Sequence, residues 1–519
     1  VLVLITAVEF LGVGINIAVG AGVVIIIIQF LFGPWIMDLM LRFLYRMEWT
    51  PFEQLPPETQ TFVRKVCRER NINIPDFGVI DDGAPQAFTY GHTPNNARIV
   101  ISRGLNELLE PDEVHAVIAH EIGHAVHWDM LLMTMAQLVP LLLYYIYRMA
   151  AQSGNSKNRG NGAAIAIGAY VLYIVSEYVV LWLSRTRELH ADRFSGEVTG
   201  NPSLLASALV KIAYGLAGGN HDEASDEGKE RKGGFEAIGA LGIFDAGSAR
   251  RLALSAYSEE RSSLLDKDAV KGAMRWDMWN PWAKWYQLNS THPLVARRLL
   301  HLSNQSMHAN QPPFIEFDET PPESYWDEFF VDLLVMLLPV VPFVVGIILF
   351  AGSAAFDAGD APEFLGWTLL LTGIGTLIKF RFVYRGDFFP RTAVASLLKK
   401  VKVSAVRPVP CKVIGTVIGR GVPGYIFSED FVIRDKTGIV FLDYRQPLAI
   451  WEFLFSIFRR GEYDNKEVEV IGWYRRSPMP YIEVSELHCD GDVTRSWVPF
   501  LYRLSGIVMV IAGLVLLQF

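Results

Sequence analysis

The chain has 519 residues, of which 51% are hydrophobic and 20% carry a charge, so it is more apolar than soluble domains usually are. Several apolar runs approach the roughly 20 residues that a helix needs to cross a bilayer, which indicates a polytopic membrane protein with soluble parts. The net charge of −8 gives no electrostatic reason to expect nucleic acid as a partner. The three cysteines form no CxxC pair, which argues against a disulfide framework or a thiolate metal site.

The apolar runs divide the chain into five predicted domains. The first contains one or two membrane spans and an interfacial helix, and the second is largely soluble but interrupted by a transmembrane hairpin. A pair of spans, a small β-rich soluble domain and a C-terminal transmembrane helix follow. The predicted boundaries are 1–47, 48–328 with the hairpin at 130–183, 329–384, 385–497 and 498–519.

The β-rich domain is predicted from short runs of Val and Ile that alternate with Gly and turn residues. The stretch VIGTVIGRGVPGYIFSEDFVIRDKTGIVFLDY (413–444) is an example. This pattern predicts short strands that close a small β-barrel of OB or SH3 type.

The distribution of basic residues predicts the orientation in the membrane. Basic clusters follow the first, third and fifth predicted spans, as at Arg42, Arg185 and Arg385. Two crossings separate each cluster from the next, so all three lie on one side, which the positive-inside rule makes cytoplasmic. Lys157 and Arg159 in the opposite loop weaken this assignment. We therefore expect an integral protein of the plasma (inner) membrane with its active site on the cytoplasmic side.

A helix with metal-binding spacing lies directly before the hairpin, in VIAHEIGHAVHWDM (117–130). His120 and His124 are four residues apart, so both imidazoles leave one face of the helix and can converge on one ion. Glu121 cannot bind the ion in the same geometry, but it can hold a metal-bound water and accept its proton. The alternative is a chance match, in which the histidines of an amphipathic helix pair with surface carboxylates.

A catalytic zinc site needs a third protein ligand. His127 is poorly placed, because a straight helix cannot bring three histidines spanning two turns around one ion, and His115 is poorly placed as well. The better candidates are Glu188 and Asp192 in SRTRELHADRFSG, where one carboxylate can bind the ion and the other can orient a histidine. The alternative is an ordinary charged helix face, on which neighbouring arginines pair with these acids.

The hairpin gives a topological reason to prefer these carboxylates. A helical hairpin leaves and re-enters the membrane on the same side. It therefore returns the start of the helix that carries Glu188 to the end of the helix that carries His120 and His124. The predicted metal site accordingly lies at the surface of the bilayer.

A short strand is predicted before the metal-binding helix, in RIVISRG. Ile99 and Ile101 lie on one face of this strand and Val100 lies on the other. An edge strand beside a metal site can bind an extended peptide substrate by main-chain pairing. The alternative is an ordinary core strand.

Five segments of the sequence carry a family resemblance. They are HEIGHAVHWD (120–129), SRTRELHAD (184–192), STHPLVARRLLHL (290–302), APQAFTYG (84–91) and RIVISRGL (98–105). Together they resemble the motifs of HtpX-type membrane zinc metallopeptidases, which share a peptidase family with the CAAX prenyl proteases. The resemblance covers residues 30–300, and Gln86 departs from it because the family usually has asparagine there.

The resemblance implies a gluzincin-type α+β metallopeptidase domain within a mainly α polytopic membrane protein. It implies one zinc ion per chain, bound by His120, His124 and Glu188, with Glu121 as the general base. Asp192 would support one of the ligands. Domain 48–328 would then be the metallopeptidase domain.

The resemblance also implies that His292 and Arg298 lie near the zinc, where they would stabilise the oxyanion or position Glu188. It gives Asp129 a structural role at the end of the helix.

The leading functional prediction is a membrane-embedded zinc endopeptidase that hydrolyses membrane or misfolded proteins in quality control. Its partners would be protein or peptide substrates and the lipid bilayer, and a homo-oligomer is left open. One alternative is a CAAX-type processing protease with specific substrates. The other is a non-catalytic membrane scaffold that acts through the β-rich domain. A site-2 protease fits less well, because its motif would lie inside a membrane span.

Overall fold

The computed structural model describes residues 15–80, 86–152, 159–218, 267–317, 320–355, 361–420, 431–447, 463, 466–477 and 480–518. The chain separates into two compact units. The first contains the described residues up to Leu216 together with 287–316. The second contains the described residues 217–218, 267–286 and those from 317 onward.

The described residues are mostly helical. The helices are α1 (Ile15–Tyr45), α2 (Pro57–Arg70), α3 (Arg103–Leu108), α4 (Pro111–Val126), α5 (Asp129–Gln152), α6 (Arg159–Thr199), α7 (Pro202–Gly218), α8 (Lys267–Trp279), α9 (Pro281–Leu288), α10 (Val295–His308), α11 (Trp326–Ala355), α12 (Ala361–Val383), α13 (Val394–Leu398) and α14 (Val498–Leu516). The strands are β1 (Glu48–Thr50), β2 (Asp76–Ile80), β3 (Ala87–Gly91), β4 (Ala97–Ser102), β5 (Val409–Arg420), β6 (Phe431–Asp435), β7 (Gly438–Asp443), β8 (Glu467–Arg476), β9 (Pro480–Cys489) and β10 (Asp492–Arg495).

Five helices in the described part of the chain are long and apolar enough to cross a membrane. Their candidate spans are Asp129–Ala151, Gly162–Thr199, Trp326–Ser353, Glu363–Val383 and Val498–Leu516. They coincide with the second to sixth spans predicted from the sequence, which confirms an integral membrane protein. Helix α1 runs without a break across the region where the sequence predicts a first span and an interfacial helix, with Pro34 inside it. Residues 1–14 of that first span lie outside the described residues.

The sheet of the first unit corrects the prediction of an open edge at Ile99–Ile101. The strand order is β1-β2-β4-β3, so β4 lies inside the sheet. Phe77 of β2 is opposite Ile99 in a parallel pairing, and Phe88 of β3 is opposite Val100 in an antiparallel pairing. All six residues of β4 are buried. A run of apolar residues can belong to an edge or to an interior strand, and the interior position prevails here because both neighbours pair with β4.

The transmembrane helices of the second unit pack closely through glycine. A Cβ atom at Gly373 of α12 would lie 2.7 Å from the backbone nitrogen of Val510 in α14. A Cβ atom at Gly513 of α14 would lie 2.5 Å from the backbone nitrogen of Leu370 in α12. Small residues at such contacts let helix backbones approach each other, which is how helices associate in lipid.

The sheet of the second unit has the order β10-β9-β7-β6-β5-β8, with an additional pairing between β8 and β9. The pairings therefore run from β9 through β7, β6, β5 and β8 and back to β9. Apolar side chains from these strands form a buried core, including Val413, Val440 and Val470. Parts of the predicted β-rich domain, notably 421–430 and 448–462, lie outside the described residues.

Candidate functional site

Helix α4 presents the two histidines of the HExxH motif. Pro111 occupies its first turn, and Glu110 and Glu113 form a reciprocal capping box at its start. His120 and His124 are one turn apart and project from the same face. Both are buried, and their Nε2 atoms lie 3.2 Å from each other.

Helix α6 brings a carboxylate to the same point. Glu188 Oε2 lies 3.7 Å from His120 Nε2, and Glu188 Oε1 lies 3.6 Å from His124 Nε2. The two helices can approach because Gly123 of α4 has no side chain; a Cβ atom there would lie 3.2 Å from Ala191 Cα of α6. One ligand atom from each of these three side chains lies within 4.8 Å of the others, so the group could hold a metal ion.

Two further carboxylates orient the imidazoles. His120 Nδ1 lies 3.0 Å from Asp192 Oδ1, and His124 Nδ1 donates a hydrogen bond to Asp129 Oδ2 at 2.7 Å. A proton on each Nδ1 leaves the lone pair of each Nε2 available to a metal. Both Nε2 atoms are thereby aimed at the point that Glu188 also faces.

Asp129 reaches His124 because the chain turns sharply between α4 and α5. Trp128 has a left-handed backbone with φ of 59°, and α5 begins at the next residue. The turn directs the first side chain of α5 back to the last turn of α4. The sequence predicts only a structural role for Asp129. The signal for its contact with the site was its position five residues after His124.

A second layer of side chains lies behind Glu188. Arg298 of α10 donates from Nε and Nη2 to both oxygens of Asp192, at 2.8 and 2.6 Å. Its Nη1 lies 3.7 Å from Glu188 Oε2, and His292 Nδ1 lies at the same distance from that oxygen. Neither ring nitrogen of the buried His292 has a hydrogen-bond partner among the described residues. The structure therefore brings both predicted outer residues to Glu188.

Arg187 is a neighbour of the site that the sequence indicated only under the alternative of a charged helix face whose arginines pair with the acids. Its Nη2 lies 3.2 Å from Glu188 Oε1. Adjacent residues on a helix usually point in different directions, so spacing alone gives no signal for this contact. The arginines around Glu188 looked like a charged surface, whereas the Glu188 carboxylate is buried.

Glu121 lies beside His120 on α4 and is also buried. Thr89 of β3 donates a hydrogen bond from Oγ1 to the backbone carbonyl of Glu121 at 3.2 Å. Strand β3 thus runs directly alongside the helix that carries the site. Among the described strands, β3 pairs only with β4, so its other edge is available for main-chain hydrogen bonds.

The electrostatics of the site favour a positive charge among these carboxylates. Burial by itself lowers the pKa of His120, but the carboxylates of Asp192 and Glu188 outweigh burial and raise this pKa to about 9. A metal ion requires the neutral imidazole and would replace this proton on binding.

The spacing of the three candidate ligands fits a zinc ion. With ligand bonds of about 2.0–2.1 Å, tetrahedral geometry places neighbouring ligand atoms about 3.4 Å apart. The separations of 3.2, 3.6 and 3.7 Å are close to that value. Glu188 Oε2 is buried but has no hydrogen-bond partner among the described residues, which is unusual for a carboxylate unless it binds a cation.

Comparisons with known proteins agree with this geometry. The profile of peptidase family M48 matches residues 53–306, a range that contains every residue of the site. The chain is 34% identical over 193 residues to a Protease HtpX homolog of Methanothermobacter thermautotrophicus, covering 37% of this chain and 71% of the relative. It is 34% identical over 188 residues to a Protease HtpX homolog of Thermoplasma acidophilum, covering 36% and 58%.

A third relative is Protease HtpX homolog 2 of Methanosarcina acetivorans. It is 32% identical over 166 residues, which cover 31% of this chain and 56% of the relative. The chain therefore spans less than two thirds of the second and third relatives. No solved structure is significantly similar to the chain.

Proposed function

Because this chain belongs to the HtpX-like members of peptidase family M48, we propose that it is a membrane-embedded zinc endopeptidase. It would hydrolyse peptide bonds in membrane or misfolded proteins as part of quality control. One observation carries the proposal: His120 Nε2, His124 Nε2 and the Glu188 carboxylate converge at separations of 3.2–3.7 Å beside the buried Glu121.

His120, His124 and Glu188 would hold the zinc ion, since two imidazoles and one carboxylate with an open fourth position form a typical catalytic donor set. Bound zinc supplies two things to peptide hydrolysis: a lower pKa for water and polarisation of the scissile carbonyl.

The side chains of the site have separate roles in this proposal. Glu121 accepts a proton from the attacking water and passes it to the leaving amine. Asp192 and Asp129 keep the protons of the two imidazoles on Nδ1, and Arg298 holds Asp192 through two hydrogen bonds. His292 donates to the oxyanion that develops on the substrate carbonyl, since both of its nitrogens lack another partner among the described residues.

The substrate would bind along β3 and not along the interior strand β4. Residues Ala87–Gly91 offer a main-chain edge next to α4, and an extended peptide paired with that edge would lie across the site. Main-chain pairing recognises the backbone, so it favours broad sequence specificity over a defined motif.

The proposal also covers the membrane location of the protein and the form and role of its second unit. We place the protein in the plasma (inner) membrane, and the positive-inside pattern supports an orientation with the site on the cytoplasmic side. The pairing of β8 with β9 supports a small C-terminal barrel of OB or SH3 type, which would recruit substrate or mediate self-association.

Glu121→Gln in the full-length chain tests the proposal. We expect zinc content to stay at one ion per chain, because the ligands are intact. Cleavage of casein should fall by about 10³-fold, because the base is lost. Glu107→Gln is the matched control, since it removes a carboxylate that is exposed on α3. Normal turnover by Glu121→Gln would overturn the proposed mechanism. Scattered cleavage sites would favour quality control, and a single defined site would favour a processing protease.

A further inference from the structure

A cavity of about 1000 Å³ lies between α1, α5 and α6 in the first unit. One end of the cavity is lined by Thr291, which precedes His292, and by Ser184, which lies one helical turn before Glu188. Gly91, the last residue of β3, lines it as well. This end of the cavity therefore lies next to the catalytic centre and reaches the end of the proposed substrate strand.

The cavity extends well into the membrane-spanning part of the unit. Its lining runs from Met133 to Tyr144 on α5 and from Ser184 back to Tyr173 on α6. Each stretch covers eleven helical rises, or about 16 Å. That is roughly half the thickness of the hydrocarbon core of a bilayer, which is about 30 Å. The cavity thus leads from the level of the site to the middle of the membrane.

Polar side chains line this cavity at depths where lipid-facing helices are usually apolar. They include Thr134 and Gln137 on α5 and Glu177 on α6. No hydrogen bond or salt bridge within the described residues involves Gln137 or Glu177. Ionisable groups in membrane spans usually face a cavity or a functional partner. Lipid acyl chains offer these groups no hydrogen bonds, so the lining is chemically suited to a polar occupant.

A peptide backbone is such an occupant. Hydrolysis requires the scissile region of a substrate to be extended, and an extended backbone exposes N–H and C=O groups that a helix would satisfy internally. Those groups cannot remain unpaired in lipid. The amide of Gln137 and the carboxylate of Glu177 can pair with them, and the Thr134 hydroxyl, which donates to the Met130 carbonyl, can still accept from an N–H group. The apolar part of the lining accommodates hydrophobic side chains.

We propose that this cavity receives an unwound stretch of a substrate's membrane-spanning segment and delivers it to the free edge of β3 and the catalytic centre. The inference rests on the proposed peptidase function and specifies its substrate as a membrane-spanning protein entering from the bilayer. Short soluble peptides reach the site without filling the intramembrane part of the cavity.

Gln137→Trp tests the inference by filling the cavity. The full-length protein is reconstituted in phosphatidylcholine liposomes, with a single-span membrane protein as one substrate and a short soluble peptide as the other. We expect the kcat/KM value for the membrane substrate, divided by that for the soluble peptide, to fall about tenfold. Val139→Trp is the matched control, because Val139 lies on α5 outside the cavity lining and is 51% exposed on the opposite side. The control should leave the ratio unchanged.

Cross-linking provides a readout that does not depend on turnover. A photoreactive residue at position 137 of the Glu121→Gln chain should cross-link to the membrane-spanning segment of the substrate, and one at position 139 should cross-link to lipid. Lipid adducts alone at position 137, or an unchanged cleavage ratio in Gln137→Trp, would overturn the inference. If the wild-type chain cleaves neither substrate, the peptidase proposal itself fails, and this inference fails with it.

Discussion

The cluster around Glu188 in the first unit and the Arg475–Glu483 pair in the second unit both bury charged side chains, but they differ in how completely the charges are paired. Arg475 donates to Glu483 Oε2 and to the backbone carbonyls of Ala405 and Val383, each at 2.7 Å. The other oxygen of Glu483 accepts a hydrogen bond from the Tyr384 hydroxyl at 2.8 Å. This pair has little capacity left for a ligand.

Glu188 is also buried, yet apart from Arg187 at 3.2 Å its contacts with His120, His124 and Arg298 are 3.6–3.7 Å long. Its Oε2 has no hydrogen-bond partner among the described residues. A saturated buried pair stabilises the fold, whereas converging groups with unused bonding capacity can accept a cation. The comparison suggests that Glu188 and Glu483, two buried glutamates, serve binding and stability respectively.

Glu188→Gln should have the largest effect on function. Removing a charged ligand should lower the zinc affinity by more than the about 10–100-fold typical of outer residues, and it should abolish hydrolysis. The unfolding temperature of the metal-free protein should fall by less than it does in Glu483→Gln, because among the ion pairs of Glu188 with described residues only that with Arg187, at 3.2 Å, is shorter than 3.6 Å. Zinc content by elemental analysis and thermal unfolding after chelation measure the two effects. Full zinc occupancy in this variant would remove Glu188 from the ligand set.

Glu483→Gln is the matched variant in the second unit. It breaks a buried ion pair and leaves the charge of Arg475 uncompensated, which typically costs about 3–5 kcal/mol of stability. We expect a lower unfolding temperature with the zinc content of the purified protein unchanged. If this variant lost zinc while Glu188→Gln lost stability, the contrast between the two glutamates would be wrong.

Arg298→Lys should reduce zinc affinity by less than Glu188→Gln does, and it tests the residues behind Glu188. Arg298 holds both oxygens of Asp192, and lysine cannot reproduce two parallel hydrogen bonds. Asp192 would then orient His120 less well, so zinc affinity should fall about 10–100-fold. The test is activity as a function of free zinc. Recovery of kcat at saturating zinc indicates a positioning role, while a deficit in kcat that zinc does not correct indicates direct contact with the oxyanion.

The contrast between local and distant contacts also explains what the sequence could predict. The relation of His120 to His124 follows from helical spacing, and the hairpin gave a reason for Glu188 to meet them. The family resemblance indicated only that Arg298 lies near the site; its pairing with Asp192 joins residues 106 positions apart, and nothing in the sequence indicated that contact. The position of β4 inside its sheet depends on the pairing of β2 and β3 with it, which a pattern within one strand cannot reveal.

Gly123→Ala should have the smallest effect and tests whether the closeness of α4 and α6 matters for the site. The added Cβ atom would lie 3.2 Å from Ala191 Cα, so α6 would have to move by a few tenths of an ångström and take Glu188 with it. Against this, alanine is favoured over glycine in a helix by about 0.5–1 kcal/mol. We expect zinc affinity to fall about threefold while the unfolding temperature of the metal-free protein changes little. Gly168→Ala on α6 is the control, since a Cβ atom there meets nothing within 4 Å and should leave zinc affinity unchanged. Equal zinc affinities in the two variants would mean that the distance between the helices does not limit the contact between Glu188 and the histidines.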